Sequence, residues 1–196
     1  MIFELPMLRF EKDALEPHIS AQTIELHYDK VFRYHLDNVN RLIDEFQLVE
    51  LSLQTIIKKF AKQNGALFYS AAQVLNHMFY FEQLFPTPKI MPEGNLLLAI
   101  NKSFGSIDEF KHKFDKAVIS FIGSGHTWLS QKEDDTLIIT QEANAGNPII
   151  KNYKPLLVCD VWEHAYYLDY PCRKADYVSN FWKVLDWDII EKRFNY

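Results

Sequence analysis

The stretch DVWEHAYYLDY, residues 160–170, places metal-binding side chains in a dense run of aromatic residues. Asp160 and His164 stand four positions apart in it, beside Trp162 and three tyrosines. A carboxylate and an imidazole can bind a transition metal together or form a hydrogen-bonded pair in the core. Two further histidines, His27 and His77, lie where apolar residues recur at helical spacing, so each imidazole falls on an inward face.

Each of these histidines, taken alone, is best explained as a hydrogen-bonded core residue. Together with Asp160 they form a set of three imidazole nitrogens and one carboxylate oxygen, which suits a divalent or trivalent transition metal. The D-x-x-x-H spacing also occurs by chance. Residue types and spacing therefore leave both a metal site and a set of core histidines open.

The helices that would position these residues follow from hydrophobic periodicity. Ser20 is a suitable N-cap for a long first helix that carries His27. A second helix is predicted over about residues 67–84 and carries His77. The segment PTPKIMPEG, residues 86–94, interrupts the pattern and is the predicted linker.

Beyond the linker the pattern changes from helices alone to a mixture of helices and strands. SIDEF, with Ser106 as N-cap, predicts a third helix, and TWLSQKEDDTLIIT predicts two strands around a polar turn. PLLVCDVW predicts a buried strand that ends near Asp160, and one amphipathic helix is predicted from Pro171 to the end. We therefore expect a helical domain over residues 1–88 and an α/β domain over residues 89–196.

The composition is that of an ordinary globular protein. The chain has 196 residues, of which 48% are hydrophobic, and it can bury a sizeable core. Its formal charge of -5 and pI near 5.8 argue against nucleic-acid and anionic-membrane partners, which bind basic faces. The sequence shows no membrane-spanning run and no signal peptide, and two cysteines are too few for a disulfide framework. These features favour a cytoplasmic protein with reduced thiols.

Six segments resemble the iron and manganese superoxide dismutase family, in order and from end to end: FELPMLRFEKDALEPHISAQTIELHYDK, AAQVLNHMFYFEQL, SFGSIDEFKHKF, GSGHTWL, NAGNPI and DVWEHAYYLDY. The run DVWEHAYY is the most diagnostic. The resemblance implies an α+β fold, an N-terminal helical hairpin followed by an α/β domain with a three-stranded antiparallel sheet. It implies an enzyme that converts superoxide to dioxygen and hydrogen peroxide at one metal ion per subunit, with the ligands His27, His77, Asp160 and His164.

The resemblance also implies which residues surround the metal and which metal is bound. Gln73, one helical turn before His77, resembles the amide that iron-type members use near the metal. Manganese-type members usually take this amide from the later segment, where this chain has Ala145. Iron is therefore the expected metal, with manganese as the alternative, and Trp162 belongs to the aromatic wall. A plain interhelical hydrogen bond is the alternative role for Gln73.

Two further pairs of residues are implied to act outside the ligand set. Glu163 and Tyr167 resemble residues that cross the twofold interface of family dimers, so a homodimer is expected. The alternative for Glu163 is a solvated side chain at a helix start. Lys30 and Lys174 fall where family members carry cations beside the substrate funnel, where positive charge would attract superoxide. Solvated lysines are the alternative there.

The departures from the family cluster at the mouth of the site. The family's gateway histidine and tyrosine fall on Val31 and His35, and the tryptophan of its G-S-G-W motif falls on His126. Tyr34 lies about 100° around the helix from His35 and cannot replace the gateway tyrosine. His35 and His126 are expected near Gln73. If they relay protons, activity should fall between about pH 6 and 8, and otherwise they fill space.

The leading hypothesis is a dimeric iron superoxide dismutase with an altered funnel. One alternative is an oxidoreductase on the same scaffold that acts on peroxide or an organic substrate. Another is a metal-binding protein that has lost turnover.

Overall fold

The computed structural model describes residues 3–48, 51–63 and 65–196.

The N-terminal hairpin consists of two long helices with a short helix between them. Helix α1 runs through three consecutive segments, α-helical Ala21–Ile24, π-helical Glu25–Phe32 and α-helical Arg33–Glu45. Helix α2 spans Leu53–Phe60 and α3 spans Ala66–Glu82. The hydroxyl of Ser20 accepts from the Thr23 main-chain N–H, which confirms the predicted N-cap.

The C-terminal domain combines four helices with the predicted three-stranded antiparallel sheet. The helices are α4 (Gly94–Phe104), α5 (Ile107–Ile119), α6 (Lys174–Val184) and α7 (Trp187–Asn195). The strands are β1 (Gly125–Gln131), β2 (Leu137–Ala143) and β3 (Lys154–Asp160), in the spatial order β2-β1-β3. Short 3₁₀ turns lie at Pro148–Lys151 and Glu163–Ala165. The register of β1 and β3 sets His126 opposite Asp160.

The end of the chain differs from the prediction of one continuous helix. Two helices form there, because Asp186 lies between them with its carboxylate accepting from the Asp188 main-chain N–H. An aspartate in this role stabilises a helix start and competes with helix continuation. The periodicity also predicts neither α2 nor α4. No helix in the described part of the chain is long and apolar enough to cross a membrane.

A buried amide joins the hairpin to the sheet. The side chain of Gln83, which follows α3, accepts from the Val158 main-chain N–H at 3.2 Å and donates to the Val158 carbonyl. The guanidinium of Arg193 donates to the carbonyls of Leu156 and Phe79 at 2.8 and 2.9 Å. Buried main-chain groups need such partners, so these contacts fix β3 against the end of the hairpin.

Candidate metal centre

Four side chains from separate elements converge where the hairpin meets the sheet. His27 comes from the π-helical segment, His77 from α3, Asp160 from the end of β3 and His164 from the following 3₁₀ turn. One ligand atom from each residue lies within 4.8 Å of all the others. His27 Nε2 is 3.1 Å and His164 Nε2 is 3.4 Å from Asp160 Oδ2. The structure thus brings together the four ligands expected from the sequence.

Neighbouring groups orient two of these side chains. His77 Nδ1–H donates to the main-chain carbonyl of Gln73 at 2.6 Å, which leaves Nε2 directed at the centre. Asp160 Oδ1 accepts from the Trp162 main-chain N–H at 2.8 Å, which leaves Oδ2 directed at the centre. The Tyr177 hydroxyl donates to the Asp160 carbonyl at 3.0 Å. Contacts of this kind fix ring and carboxylate orientation around bound metals.

The atoms at the centre fit a bound cation. Among the described residues, Nε2 of His27, His77 and His164 and Oδ2 of Asp160 are buried and make no hydrogen bond. A buried polar atom without a partner costs about 1–3 kcal/mol. A cation coordinated by all four atoms would remove this cost, and three nitrogens with one oxygen suit a first-row transition metal.

The electrostatics make Asp160 the negatively charged member of the set. Burial lowers the pKa of His27 to about 4 and holds the pKa of His77 well below its usual value. Burial would raise the pKa of Asp160, but the imidazoles of His126 and His164 outweigh it and hold that pKa well below its usual value. At neutral pH the carboxylate is therefore ionised, and the two buried imidazoles are neutral and able to bind a metal through a lone pair.

Gln73 and Trp162 lie next to the ligands. Gln73 is buried, its Oε1 accepts from Asn76 at 3.3 Å, and its Nε2 has no hydrogen-bond partner within the described chain. The Trp162 ring stacks on His164, with 5.7 Å between ring centroids and 20° between planes. The Trp162 indole N–H donates to the Asn144 carbonyl at 3.3 Å. Gln73 thus has an unused buried amide N–H on the helix that carries His77, and the Trp162 ring covers His164.

His35 faces inward, but its ionisation differs from expectation. Its side chain is buried whereas Tyr34 is 64% exposed, which confirms the predicted offset between them. The His35 ring lies 5.9 Å from the His77 ring and 5.7 Å from the Tyr69 ring, measured between centroids. Burial lowers the pKa of His35 to about 4. His35 is therefore neutral from pH 6 to 8, so the expected fall in activity across that range cannot come from it. The expectation used the pKa of an exposed imidazole.

His126 lies deeper than the sequence suggests. It is fully buried on β1, with Nε2 at 3.6 Å from Asp160 Oδ2 and Nδ1 at 3.4 Å from Asn76 Nδ2. It was expected at the mouth near Gln73, and the amide of Asn76 lies between the two, with Nδ2 also 3.3 Å from Gln73 Oε1. The direct neighbours of His126 are the Asp160 carboxylate and Asn76. Asn76 is not among the residues predicted for the site, although an asparagine beside His77 on an apolar helix is itself a signal of a buried polar contact.

The remaining predicted residues are not among the four clustered side chains. Glu163 is exposed and Tyr167 is 42% exposed. Lys30 is exposed on the π-helical segment. The Lys174 ammonium group donates to the Phe121 carbonyl at 2.7 Å.

Comparison with known proteins covers nearly the whole chain. Residues 2–85 match the profile of iron/manganese superoxide dismutases, alpha-hairpin domain, and residues 92–193 match that of the C-terminal domain. The chain is 45% identical to superoxide dismutase (Fe) of Bacteroides fragilis (strain YCH46), over 98% of this chain and 100% of the relative. It is 43% identical to superoxide dismutase (Mn/Fe) of Porphyromonas gingivalis, over 99% of this chain and 100% of the relative. It is 44% identical to superoxide dismutase (Fe) of Escherichia coli (strain K12), over 98% of each chain.

Proposed function

This chain belongs to the iron/manganese superoxide dismutase family, and from that membership we propose that it is an iron-dependent superoxide dismutase with an altered funnel. The observation that carries the proposal is the group of four buried ligand atoms, within 4.8 Å of one another, that make no hydrogen bond. The substrate is superoxide, and the products are dioxygen and hydrogen peroxide.

The ligands His27, His77, Asp160 and His164 would hold the iron, which exchanges one electron with each of two superoxide ions. The protein's task is to hold one geometry through both oxidation states. Contacts to Gln73 and Trp162 fix two ligands, and a buried, closely packed site resists rearrangement. One superoxide loses an electron, and the other gains an electron and two protons.

Gln73 supports iron rather than manganese in this proposal. Its unused amide N–H lies in the buried site, one turn from His77, where it can donate to a small anion or a water molecule. Ala145 is buried and has no polar side chain, so it cannot supply such an amide from the other segment. Trp162 excludes water on the side of His164 and so strengthens electrostatic interactions within the site.

The altered funnel follows from the residues on α1. Phe32 stacks on the His77 ring, with centroids 5.4 Å apart, and His35 lies on the next turn. In our proposal His35 donates a hydrogen bond as a neutral imidazole at the funnel. Lys30 and Lys174 attract superoxide towards it, and the hydrogen bond to the Phe121 main-chain carbonyl holds the Lys174 ammonium group in place.

We expect the active form to be a homodimer whose twofold axis lies near Glu163 and Tyr167. Both residues are exposed beside the ligand His164, and with Ile119, which is 46% exposed, they line one surface cavity. Exposed aromatic and aliphatic side chains around a site are typical of interfaces. Light scattering at micromolar concentration should report twice the 23.1 kDa chain mass. Glu163→Lys should shift the protein towards monomer, whereas the exposed control Glu133→Lys should not. A monomeric wild type would contradict the proposal.

Metal analysis combined with superoxide decay tests the function. Purified protein should contain one iron per subunit, and the rate of superoxide decay should rise in proportion to iron content across preparations of different occupancy. Stoichiometric iron without superoxide decay would instead identify a metal-binding protein that has lost turnover. Consumption of peroxide or an organic substrate in place of superoxide would identify a different oxidoreductase. We also propose a cytoplasmic location, which cell fractionation would test.

A further inference from the structure

The amide of Asn76 has a fixed orientation. Its Nδ2 lies 3.4 Å from the Gly146 carbonyl oxygen, which can only accept a hydrogen bond. Its Oδ1 accepts from Asn147 Nδ2 at 2.7 Å. Asn147 is fixed in turn, because its Oδ1 accepts from the Ile149 main-chain N–H at 3.0 Å. Main-chain groups at both ends of this chain of amides therefore determine that Asn76 presents its NH₂ group to His126.

This orientation determines the tautomer of His126. Asn76 Nδ2 lies 3.4 Å from His126 Nδ1, and an amide nitrogen can only donate. The two hydrogens of this NH₂ group are shared among three acceptors, because Nδ2 also lies 3.3 Å from Gln73 Oε1. A hydrogen on Nδ1 would face these N–H hydrogens, so Nδ1 is the acceptor of the ring and the hydrogen is on Nε2. The surroundings of Nε2 favour the same form, because it faces the ionised Asp160, whose Oδ2 is 3.6 Å away. A lone pair at Nε2 would face that negative charge.

A hydrogen on Nε2 also excludes one obvious role for this histidine. A protonated nitrogen has no lone pair for a metal, and His126 does not belong to the group whose ligand atoms all lie within 4.8 Å of one another. The 3.6 Å contact is longer than a full hydrogen bond, so the N–H acts on the carboxylate mainly through its dipole. Both atoms are buried, and the low local dielectric strengthens this interaction.

We propose that Asn76 holds His126 as its Nε2–H tautomer, and that His126 is a positioning residue that stabilises the negative charge on the ligand oxygen of Asp160. The proposal rests on the metal site proposed above. A stabilised carboxylate donates less charge to the metal it binds, which favours the lower oxidation state. His126 therefore raises the reduction potential of the iron site without binding the metal.

The tautomer can be read directly by nitrogen NMR. The probe is full-length protein with ¹⁵N-labelled histidine and zinc(II) in place of iron, because zinc is diamagnetic, and the His126 signals are assigned by their loss in His126→Gln. Long-range proton–nitrogen correlations should show hydrogen on Nε2 and a bare Nδ1. In Asn76→Asp the carboxylate can only accept, so hydrogen should appear on Nδ1. A wild-type His126 with hydrogen on Nδ1, on both nitrogens, or with Nε2 bound to zinc would overturn the proposal.

The reduction potential of the iron-loaded protein tests the consequence. His126→Leu removes the donor and should shift the potential downwards. His126→Gln can accept from Asn76 and donate to Asp160, so it should keep the wild-type value. Thr127→Val, a buried polar-to-apolar change at the next position of β1, should also leave it unchanged. Equal shifts in the Leu and Gln variants, or no shift in either, would overturn the proposal.

The two proposals fail in different ways. If the chain retains neither zinc nor iron, the proposed function fails, while the tautomer of His126 is still measurable in the same sample. If iron and turnover are both present but the hydrogen of His126 is on Nδ1, only the inference about His126 fails.

Discussion

Replacing Asp160 by alanine should abolish iron retention by a folded protein. Asp160 supplies the single negative charge of the ligand set, and its Oδ2 lies within 3.4 Å of Nε2 of both His27 and His164. Removing an outer contact of a metal ligand typically costs about 10- to 100-fold in affinity. Loss of the charged ligand itself should cost more. Metal content per chain, measured after dialysis against a chelator, should be near zero in the variant, and full occupancy would overturn the ligand assignment.

Two further variants test whether iron is lost because the carboxylate charge is removed or because the structure is disturbed. Asp160→Asn keeps the size and the acceptor for the Trp162 main-chain N–H but removes the charge, so iron should also be lost from it. Asp186→Asn changes another buried carboxylate, which caps α7, and should lower stability without loss of iron. Circular dichroism of all three variants must show wild-type secondary structure for the comparison to hold. Retention of iron by Asp160→Asn would show that the carboxylate charge is not required.

Replacing Gly125 by alanine should cause a large loss of stability. A Cβ at this position would clash with the Glu142 carbonyl oxygen and the Phe121 ring, and would lie 3.0 Å from Ala143 Cα. The carbonyl and the Cα belong to β2, which pairs with β1 at this position, so the main chain cannot move aside cheaply. Overpacking of this kind costs about 1–3 kcal/mol and occasionally more. We expect the upper end of that range.

Urea unfolding of the metal-free protein would measure this effect without a contribution from metal binding. Gly65→Ala is the matched control, because a Cβ there meets nothing within 4 Å. Gly65 is an N-cap position, and Gly65→Ala should lower the free energy of unfolding by less than about 1 kcal/mol. Equal unfolding midpoints for the two variants would mean that β1 and β2 are not packed as closely as the structure indicates.

The resemblance to the family singles out the four candidate ligands, whose types and spacing alone leave a set of core histidines open. Most of the elements could be predicted from local signals in the sequence. The N-cap at Ser20 is such a signal, as is the turn between β1 and β2. The break at Asp186 was missed, since the apolar residues on either side fit one continuous helical pattern. Periodicity also cannot show that eight residues of α1 adopt a π-helix.

The surroundings of the ligands depend on contacts between distant parts of the chain, which periodicity does not record. Asn76 and His126 are separated by 50 residues and meet only because α3 packs over the sheet. The pKa of His35 depends on how deeply the folded chain buries it. Alignment with the family gave the positions of both histidines, but their protonation requires knowledge of every neighbouring group.

The side-chain contacts of Gln83 with β3 also have a consequence for solubility. With the strand order β2-β1-β3, β3 is an edge strand, and a strand edge with free N–H and carbonyl groups is a template for pairing with another molecule. Gln83 uses both polar groups of Val158, and Arg193 occupies the carbonyl of Leu156. An incoming strand would have to displace both side chains. The sheet is thereby protected on this side against aggregation by strand addition.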